Sequence, residues 1–515
     1  MLQPIQLVVP LLVAVAVAAT PAKADTGLIV SRTLYPTGSA APSITPGITV
    51  LPNGALAIGD GSFANVFKNE TPDPSFGVST RIIVDRRTLD GSIVASFSPD
   101  PSLPLVTSFS SKSELGLNVS QDGRFVTFVG YATSPNTLDA SNSNTAFFTD
   151  PSNPVTNPAN PVPTVARAIG VFDLATGSFT ATPVDAYSGN NGRGAVLANN
   201  GNFYLAGNAG NSTNSSPLAT GTVFSKLSDN TGVQMIANGS SGPTTVVGAV
   251  NGVFGNSNGY QRGFSITQLG LAADKTGKDD NFRGITVFNN TLYVSKGSGG
   301  NGVNTVYQVG AAGALPTAAN AATTPITILP GFPAVTAAAK PDTSTHPFGL
   351  WFGDASTLFV ADEGDGTTTG GASAGLGEYK LVGGTWSKVA TFANGLTNQA
   401  SYRQGLPWDI FTDGLRNLTG LKNADGSFEL WATTATTSSD TSHDLGADPN
   451  ELVTITISAD GAASAFNVLE TAAAGERIGG VAIADVTAVP EPESYVLMLS
   501  GLGLVGLFVR RRRRR

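Results

Sequence analysis

The sequence predicts an all-β body, a β-propeller of seven blades with long inter-strand loops, and three observations carry that prediction. Charged residues make up only 13% of the 515-residue chain against 41% hydrophobic ones. Sixty-one glycines are spread among short apolar runs, the composition of a turn-rich β protein rather than a disordered one. A unit recurs in which a glycine, a short apolar run, a turn of Asn, Asp or Gly and a second apolar run follow one another. A further strand–turn–strand pair follows most of these, which makes four antiparallel strands per unit, as in a propeller blade.

The first element is a 13-residue apolar run, Leu7 to Ala19, with small residues behind it at Ala22 and Ala24. It is too short to cross about 30 Å of hydrocarbon and suits a signal-peptide core; a buried first strand is the alternative. Residues 1–24 are therefore expected to leave as a signal peptide, with signal peptidase reading Ala22 and Ala24. The body, 25–489, opens on the strand GLIVSRTLY, Gly27–Tyr35. Units then begin at Gly47, Gly116, Gly194, Gly284, Gly349 and Gly405, and a half-unit begins at Gly479. Turns such as Gln121-Asp122-Gly123 and Asn199-Asn200-Gly201 supply the positive φ that two-residue hairpins need. Second pairs lie at Ser79–Ser98, Ala166–Val184, Leu376–Phe392 and Asn450–Leu469. Six units and a half-unit give seven blades, with the N-terminal strand closing the ring beside the half-unit. Six blades is the next count, and a β-sandwich pair or a β-helix the third reading. Unit spacings of 56 to 90 residues exceed the roughly 40–50 of compact propellers. Long insertions are expected at 136–164 and 244–280. The body resembles secreted propellers of extracellular bacterial proteins, a likeness of fold alone, since propellers host binding and catalysis alike.

Candidate site residues are few. The absence of cysteine excludes thiolate metal sites, a Cys nucleophile and disulfides. The two histidines, His346 and His443, sit in no GxSxG or HExxH context, and a loop histidine is the simpler reading of each. Arg193, Arg283, Arg403 and Arg477 precede or open units, where side chains would converge at one mouth of the axis. Guanidinium forks suit carboxylate or phosphate, so these four form a candidate anion site; the alternative is that each ties neighbouring blades through backbone carbonyls. Asp362, Glu363 and Asp365 alternate with glycines as in a calcium loop, but lack an EF-hand's closing Glu, and an acidic turn is the alternative. Calcium is the one cofactor expected, if any is. Trp351, Tyr402, Trp408 and Trp431 would either stack on sugar rings or fill the core.

The C-terminus differs in kind. Tyr495 to Val509 is an uncharged 15-residue run, about 22 Å long as a helix, and Arg510, Arg511, Arg512, Arg513, Arg514 and Arg515 follow it. Such a block would stay on the cytoplasmic side and act as a latch behind a short transmembrane helix. Pro490-Glu491-Pro492, the apolar run with Gly501-Leu502-Gly503 and the terminal arginines together resemble the PEP-CTERM sorting signal of Gram-negative bacteria. The resemblance covers 490–515. It implies recognition by exosortase, anchorage in the inner membrane before processing, and a cell-surface or matrix destination in an exopolysaccharide or biofilm setting. Removing both ends takes away seven of 29 basic residues and two of 37 acidic ones, leaving a body of net charge −13. Nucleic acid is thereby excluded as a bulk partner, and the membrane is met only through the transient helix. The expected function is an exported binder of a glycan or matrix protein, not an enzyme. The alternative is an extracellular hydrolase or lyase acting on a polymer or phosphate ester at the axial channel.

Overall fold

The computed structural model describes residues 25–35, 48, 78–109, 111–138, 140–146, 164–210, 227–253, 260–273, 275, 277–338, 340, 344–396, 401–440 and 445–486. The chain divides into two compact units, Thr26–Ala484 and one made of residues 1–25 with 485–515; nearly all described residues belong to the first.

Period-two runs separated by tight turns dictate the strand order. β1 (Asp25–Leu34), β2 (Ser79–Arg87) and β3 (Ile93–Phe97) pair antiparallel in succession, with Leu28 opposite Arg87 and Val84 opposite Phe97. β4 (Val106–Ser108) joins β2 to the next ladder, which is β5 (Asn118–Val119), β6 (Phe125–Tyr131), β7 (Arg167–Asp173) and β8 (Phe179–Asp185). β9 (Gly192–Leu197), β10 (Asn202–Gly207) and β11 (Gly232–Ala237) come next; the short β12 (Gly242–Pro243) runs parallel to β8, and β13 (Thr245–Val247) completes the sheet of β9. A ribbon of β14 (Val250–Val253) and β15 (Tyr260–Arg262) follows. β16 (Ile285–Phe288), β17 (Thr291–Lys296), β18 (Thr305–Val309) and β19 (Ile326–Ile328) form one more four-stranded blade. β20 (Pro347–Asp354), β21 (Thr357–Asp362), β22 (Gly375–Val382) and β23 (Thr385–Phe392) form another. β24 (Ile410–Lys422), β25 (Phe428–Ser438), β26 (Glu451–Ile457) and β27 (Asn467–Thr471) form the next, and β28 (Glu476–Val486) returns to pair with β1.

The body is all-β and propeller-like: four separate four-stranded blades, and a ten-stranded sheet holding two further four-strand runs, β5-β6-β7-β8 and β28-β1-β2-β3. Among the described residues the expected count of seven is not confirmed. The half-unit at Gly479, the N-terminal strand and the Ser79–Ser98 hairpin fall into one ladder, because β2 adds directly to β1. The sequence count had spread them over two blades. The unit at Gly47 lies outside the described residues, as do the signal segment, the sorting motif and the expected membrane helix. Among the described residues no helix is long and apolar enough to cross a membrane. The expected 244–280 insertion is not simply a loop, since it holds β13 and the ribbon.

Middle strands are buried on both faces, as in β21, whereas the outermost β3 and β23 are largely exposed. Neighbouring blades meet through aromatic contacts: Phe352 of β20 stacks on Phe288 of β16 with centroids 4.5 Å apart, and Phe428 of β25 sets its edge on Trp351 of β20. The innermost strands come closer still, and this explains the unit glycines. A Cβ on Gly116 would lie 3.0 Å from the Arg193 carbonyl oxygen, one on Gly194 would lie 2.9 Å from Ile285, and one on Gly349 would lie 2.5 Å from the Arg416 carbonyl. A Cβ on Gly284 would strike the Phe348 carbonyl, and one on Gly480 the Leu115 carbonyl. The circuit returns from β24 to β28 where the Ile483 amide donates to Thr419 Oγ1 at 3.1 Å. Gly405 breaks the pattern, since a Cβ built on it would meet nothing within 4 Å; Gly414, packed on the Asp362 carbonyl, takes that place.

Candidate functional site

The inner strands β5, β9, β16, β20 and β24 line a partly open axial cavity of about 30 Å³, formed by Gly116, Asn118, Arg193, Gly194, Arg283, Gly284, Gly349 and Asn417 with several apolar side chains. That is room for about two waters, whereas small-molecule sites run to about 300–1,000 Å³. A sugar ring does not fit. Arg193 is buried, and its Nη1 donates to the Phe282 carbonyl at 2.8 Å and to the Asn281 side chain. Arg283 donates from Nη1 to Ser113 Oγ at 2.8 Å and from Nη2 to Ser298 Oγ. Ser113 precedes β5, so this side chain links two ladders that are not sequence neighbours.

Beside Arg283 lies a buried charge cluster where the loop after β21 folds against the start of β24. The Glu363 carboxylate accepts from Lys340 Nζ and from Arg416 Nε, each at 3.2 Å. Asp362 accepts from the backbone N–H of His346 at 2.8 Å and of Gly364 at 3.0 Å. Asp413 accepts from the Gly366 N–H at 3.0 Å. Gly364 has φ +79, and a Cβ there would collide with the Asp413 carboxylate, so glycine is required on both counts.

The field splits these acids. Burial alone would raise Glu363, but Lys340, Arg416, Arg283 and His346 together outweigh it and hold the carboxyl far below its usual range. Burial pushes Asp413 up to about 7, with Lys340 and Arg416 opposing the rise and the Glu363 charge adding to it. Burial likewise lifts Asp362 to about 6, against the His346 and Gly364 hydrogen bonds. One acid kept ionised and another kept protonated near neutrality is the electrostatic pattern of an acid–base pair.

Of the four arginines read from the sequence, Arg193 and Arg283 reach the axial cavity. Arg403 does not: its side chain is 58% exposed and pairs with Asp409 at 2.7 Å on a surface loop. Arg477 is buried at the start of β28 and does not line the cavity. Arg193 reaches a backbone carbonyl of the next ladder, Phe282, whereas Arg283 reaches serine hydroxyls rather than carbonyls. Asp362, Glu363 and Asp365 are not gathered round a common centre. Glu363 faces two cations, and Asp365 caps its own turn by accepting from Thr367 N at 2.9 Å. Among the described residues no group of three or more His, Asp or Glu is placed to hold a metal. His346 is fully buried, and His443 lies outside the described residues.

The aromatic residues pack inward. Trp408 Nε1 donates to Asp448 at 2.9 Å, Trp431 Nε1 to the Leu89 carbonyl at 3.0 Å, and Tyr402 Oη to the Pro449 carbonyl at 3.0 Å. Lys340, Asp413, Arg416 and Asn417 escaped the sequence reading. Placing the sixth unit glycine at Gly414 rather than Gly405 would have put Asp413 and Arg416 at the unit start, beside the arginines of other units.

No curated protein matches this chain in sequence. Among solved structures it is similar to a GH74 enzyme of Niastella koreensis, at 13% identity and TM-score 0.31, over 75% of this chain. The chain spans 43% of that enzyme's length. It is also similar to a hypothetical selenium-binding protein of Sulfolobus tokodaii, at 11% identity and TM-score 0.35, over 92% of this chain and 96% of the other. Residues 488–514 match the PEP-CTERM protein-sorting motif. The chain thus carries a PEP-CTERM sorting signal behind a β-propeller-like body, which implies that it is sorted by exosortase as a surface protein.

Proposed function

We propose that this protein is exported behind a signal peptide of residues 1–24 and released from its 490–515 tail by exosortase. Its 25–489 body then acts outside the inner membrane as a six-bladed propeller that binds a glycan or a matrix protein. The six four-strand runs and the circuit of inner-strand contacts support the blade count. The observation that carries the binding reading is the axis: a cavity of about 30 Å³ leaves the outer surface and loops as the place for a large ligand. Two experiments test it. Expression with and without residues 488–515, in hosts with and without exosortase, should move the protein between the surface and inner-membrane fractions; unchanged fractionation removes the sorting reading. Glycan-array binding of the surface-released protein tests the ligand class, and silence across the array leaves a protein partner to be sought by crosslinking on intact cells. The hydrolase or lyase alternative rests on the opposed shifts of Glu363 and Asp413. A lyase, esterase and phosphatase screen decides it, provided that any activity found is lost in Asp413→Asn.

A further inference from the structure

We propose that the axial cavity binds one small inorganic anion of halide size, held by Arg193 and Arg283 with the side-chain amide of Asn417 as a further donor.

The charge distribution comes first. The body is acidic overall, yet this end of the axis gathers Arg193, Arg283, Arg416 and Lys340. Three carboxylates answer them, Glu363 paired with Lys340 and Arg416, and Asp413 and Asp362 beside it, and none of the three lines the cavity. The downward shift of Glu363, despite its burial, reports a positive local field to which Arg283 contributes. A small cavity in that field favours an anion over neutral water.

The geometry then sets the size. Gly116, Gly194, Gly284 and Gly349 wall the cavity with backbone; a Cβ on Gly284 or Gly349 would run into a neighbouring carbonyl, and one on Gly116 or Gly194 would be tightly crowded. Side chains at these positions are therefore disfavoured, and the opening stays small. Both guanidinium groups are pinned, Arg193 by the Phe282 carbonyl and Arg283 by Ser113 Oγ, so no ordering cost is left for binding. The Asn417 side-chain amide borders the same space, since a Cβ on Gly116 would lie 3.4 Å from its Nδ2 and 3.6 Å from its Oδ1, and the bound anion would take the Nδ2 end. About 30 Å³ accepts an ion near the size of a water and rejects sulfate, phosphate or a sugar carboxylate. The anion class expected from arginine forks in the sequence is thereby replaced by a smaller one.

The test uses the full-length chain. Crystals soaked in bromide should show an anomalous peak in the axial cavity. Melting in chloride or bromide should exceed that in sulfate or gluconate at matched ionic strength, by about 1–2 °C at tenfold over Kd. Asn417→Asp, which places a carboxylate at the cavity, should weaken bromide binding at least tenfold. Equal melting in all four anions, an empty or water-filled cavity in the bromide crystal, or unchanged bromide affinity in a folded Asn417→Asp protein overturns the site. If that variant does not fold, the wild-type anion series and the crystal decide alone.

Discussion

Asp413→Asn should make the protein more stable above neutral pH, and the size of the effect follows from the site. Asp413 is 4% exposed, hydrogen-bonded to the Gly366 N–H and next to the ionised Glu363. Its folded pKa of about 7 lies about three units above the ordinary 3.8, which corresponds to about 4 kcal/mol as an upper bound. The folded state binds the proton more tightly than the unfolded state, so nothing is lost below about pH 4. The penalty grows as pH rises from about 4 to 7 and is complete above that. Asp362, lifted to about 6, adds a loss of the same sign over a narrower window. Glu363 works oppositely: its pairing contributes above the unfolded carboxylate range and is lost on acidification below it. Wild-type stability should therefore peak near pH 5 and decline toward pH 8. Asparagine keeps the acceptor for Gly366 without the charge. Urea unfolding at constant ionic strength from pH 4.5 to 8.5 should show a flattened profile and a gain of about 1–3 kcal/mol at pH 8 in the variant. If the variant and wild-type profiles run parallel between pH 5 and 8, Asp413 does not titrate in that window and the acid–base reading of the cluster fails.

Other consequences are simpler. Gly284→Ala pushes a methyl into the Phe348 carbonyl and should cost about 3 kcal/mol or more, read as a lowered urea midpoint; a loss under about 1 kcal/mol would mean that the inner strands are not locked together. Arg403→Gln, on an exposed pair, should leave the melting temperature unchanged, while Arg283→Gln should lower it measurably. Calcium at millimolar concentration should not shift the melting temperature, because Glu363 already faces Lys340 and Arg416; a shift abolished by Asp365→Ala would restore the calcium loop.

Local features of this fold were legible because they are set by neighbours in sequence. Gln121-Asp122-Gly123 and Asn199-Asn200-Gly201 make the β5–β6 and β9–β10 turns, with positive φ at Gly123 and Gly201. The Gly27–Tyr35 strand closes against β28, as the half-unit at Gly479 implied. What failed depends on which distant strands meet. Nothing in Ser79–Ser98 says that it adds to β1 rather than to a blade of its own. The charge cluster is built from Lys340, Glu363, Asp413 and Arg416, up to 76 positions apart, and only the packing of one blade's loop on the next strand brings them together. Arg403 was misjudged because Gly405 was aligned as an inner-strand glycine, although it sits with φ +87 in a loop. The arginine beside the inner-strand glycine of this blade is Arg416, which pairs with Glu363.

The position of β28 makes the sorting signal separable from the fold, and this can be tested by truncation. β28 ends at Val486, and the sorting motif is matched from residue 488, so a cut behind the body removes none of the described ladder strands. Within β28, Ile478 and Val481 are fully buried in a cluster with Leu28, Val30 and Trp431. Each such side chain contributes about 1.5–3 kcal/mol, and β1 would lose its ladder partner as well. A domain's whole stability is about 5–15 kcal/mol, so losing this strand removes most of it. A chain ending at residue 487 should melt with the full-length protein within about 1 °C, whereas one ending at residue 475 should not fold, judged by near-ultraviolet circular dichroism and protease resistance. A cooperative, protease-resistant 475-residue product would mean that the ring does not depend on its last strand. A low melting point for the 487-residue product would mean that the tail is part of the fold rather than an address attached to it.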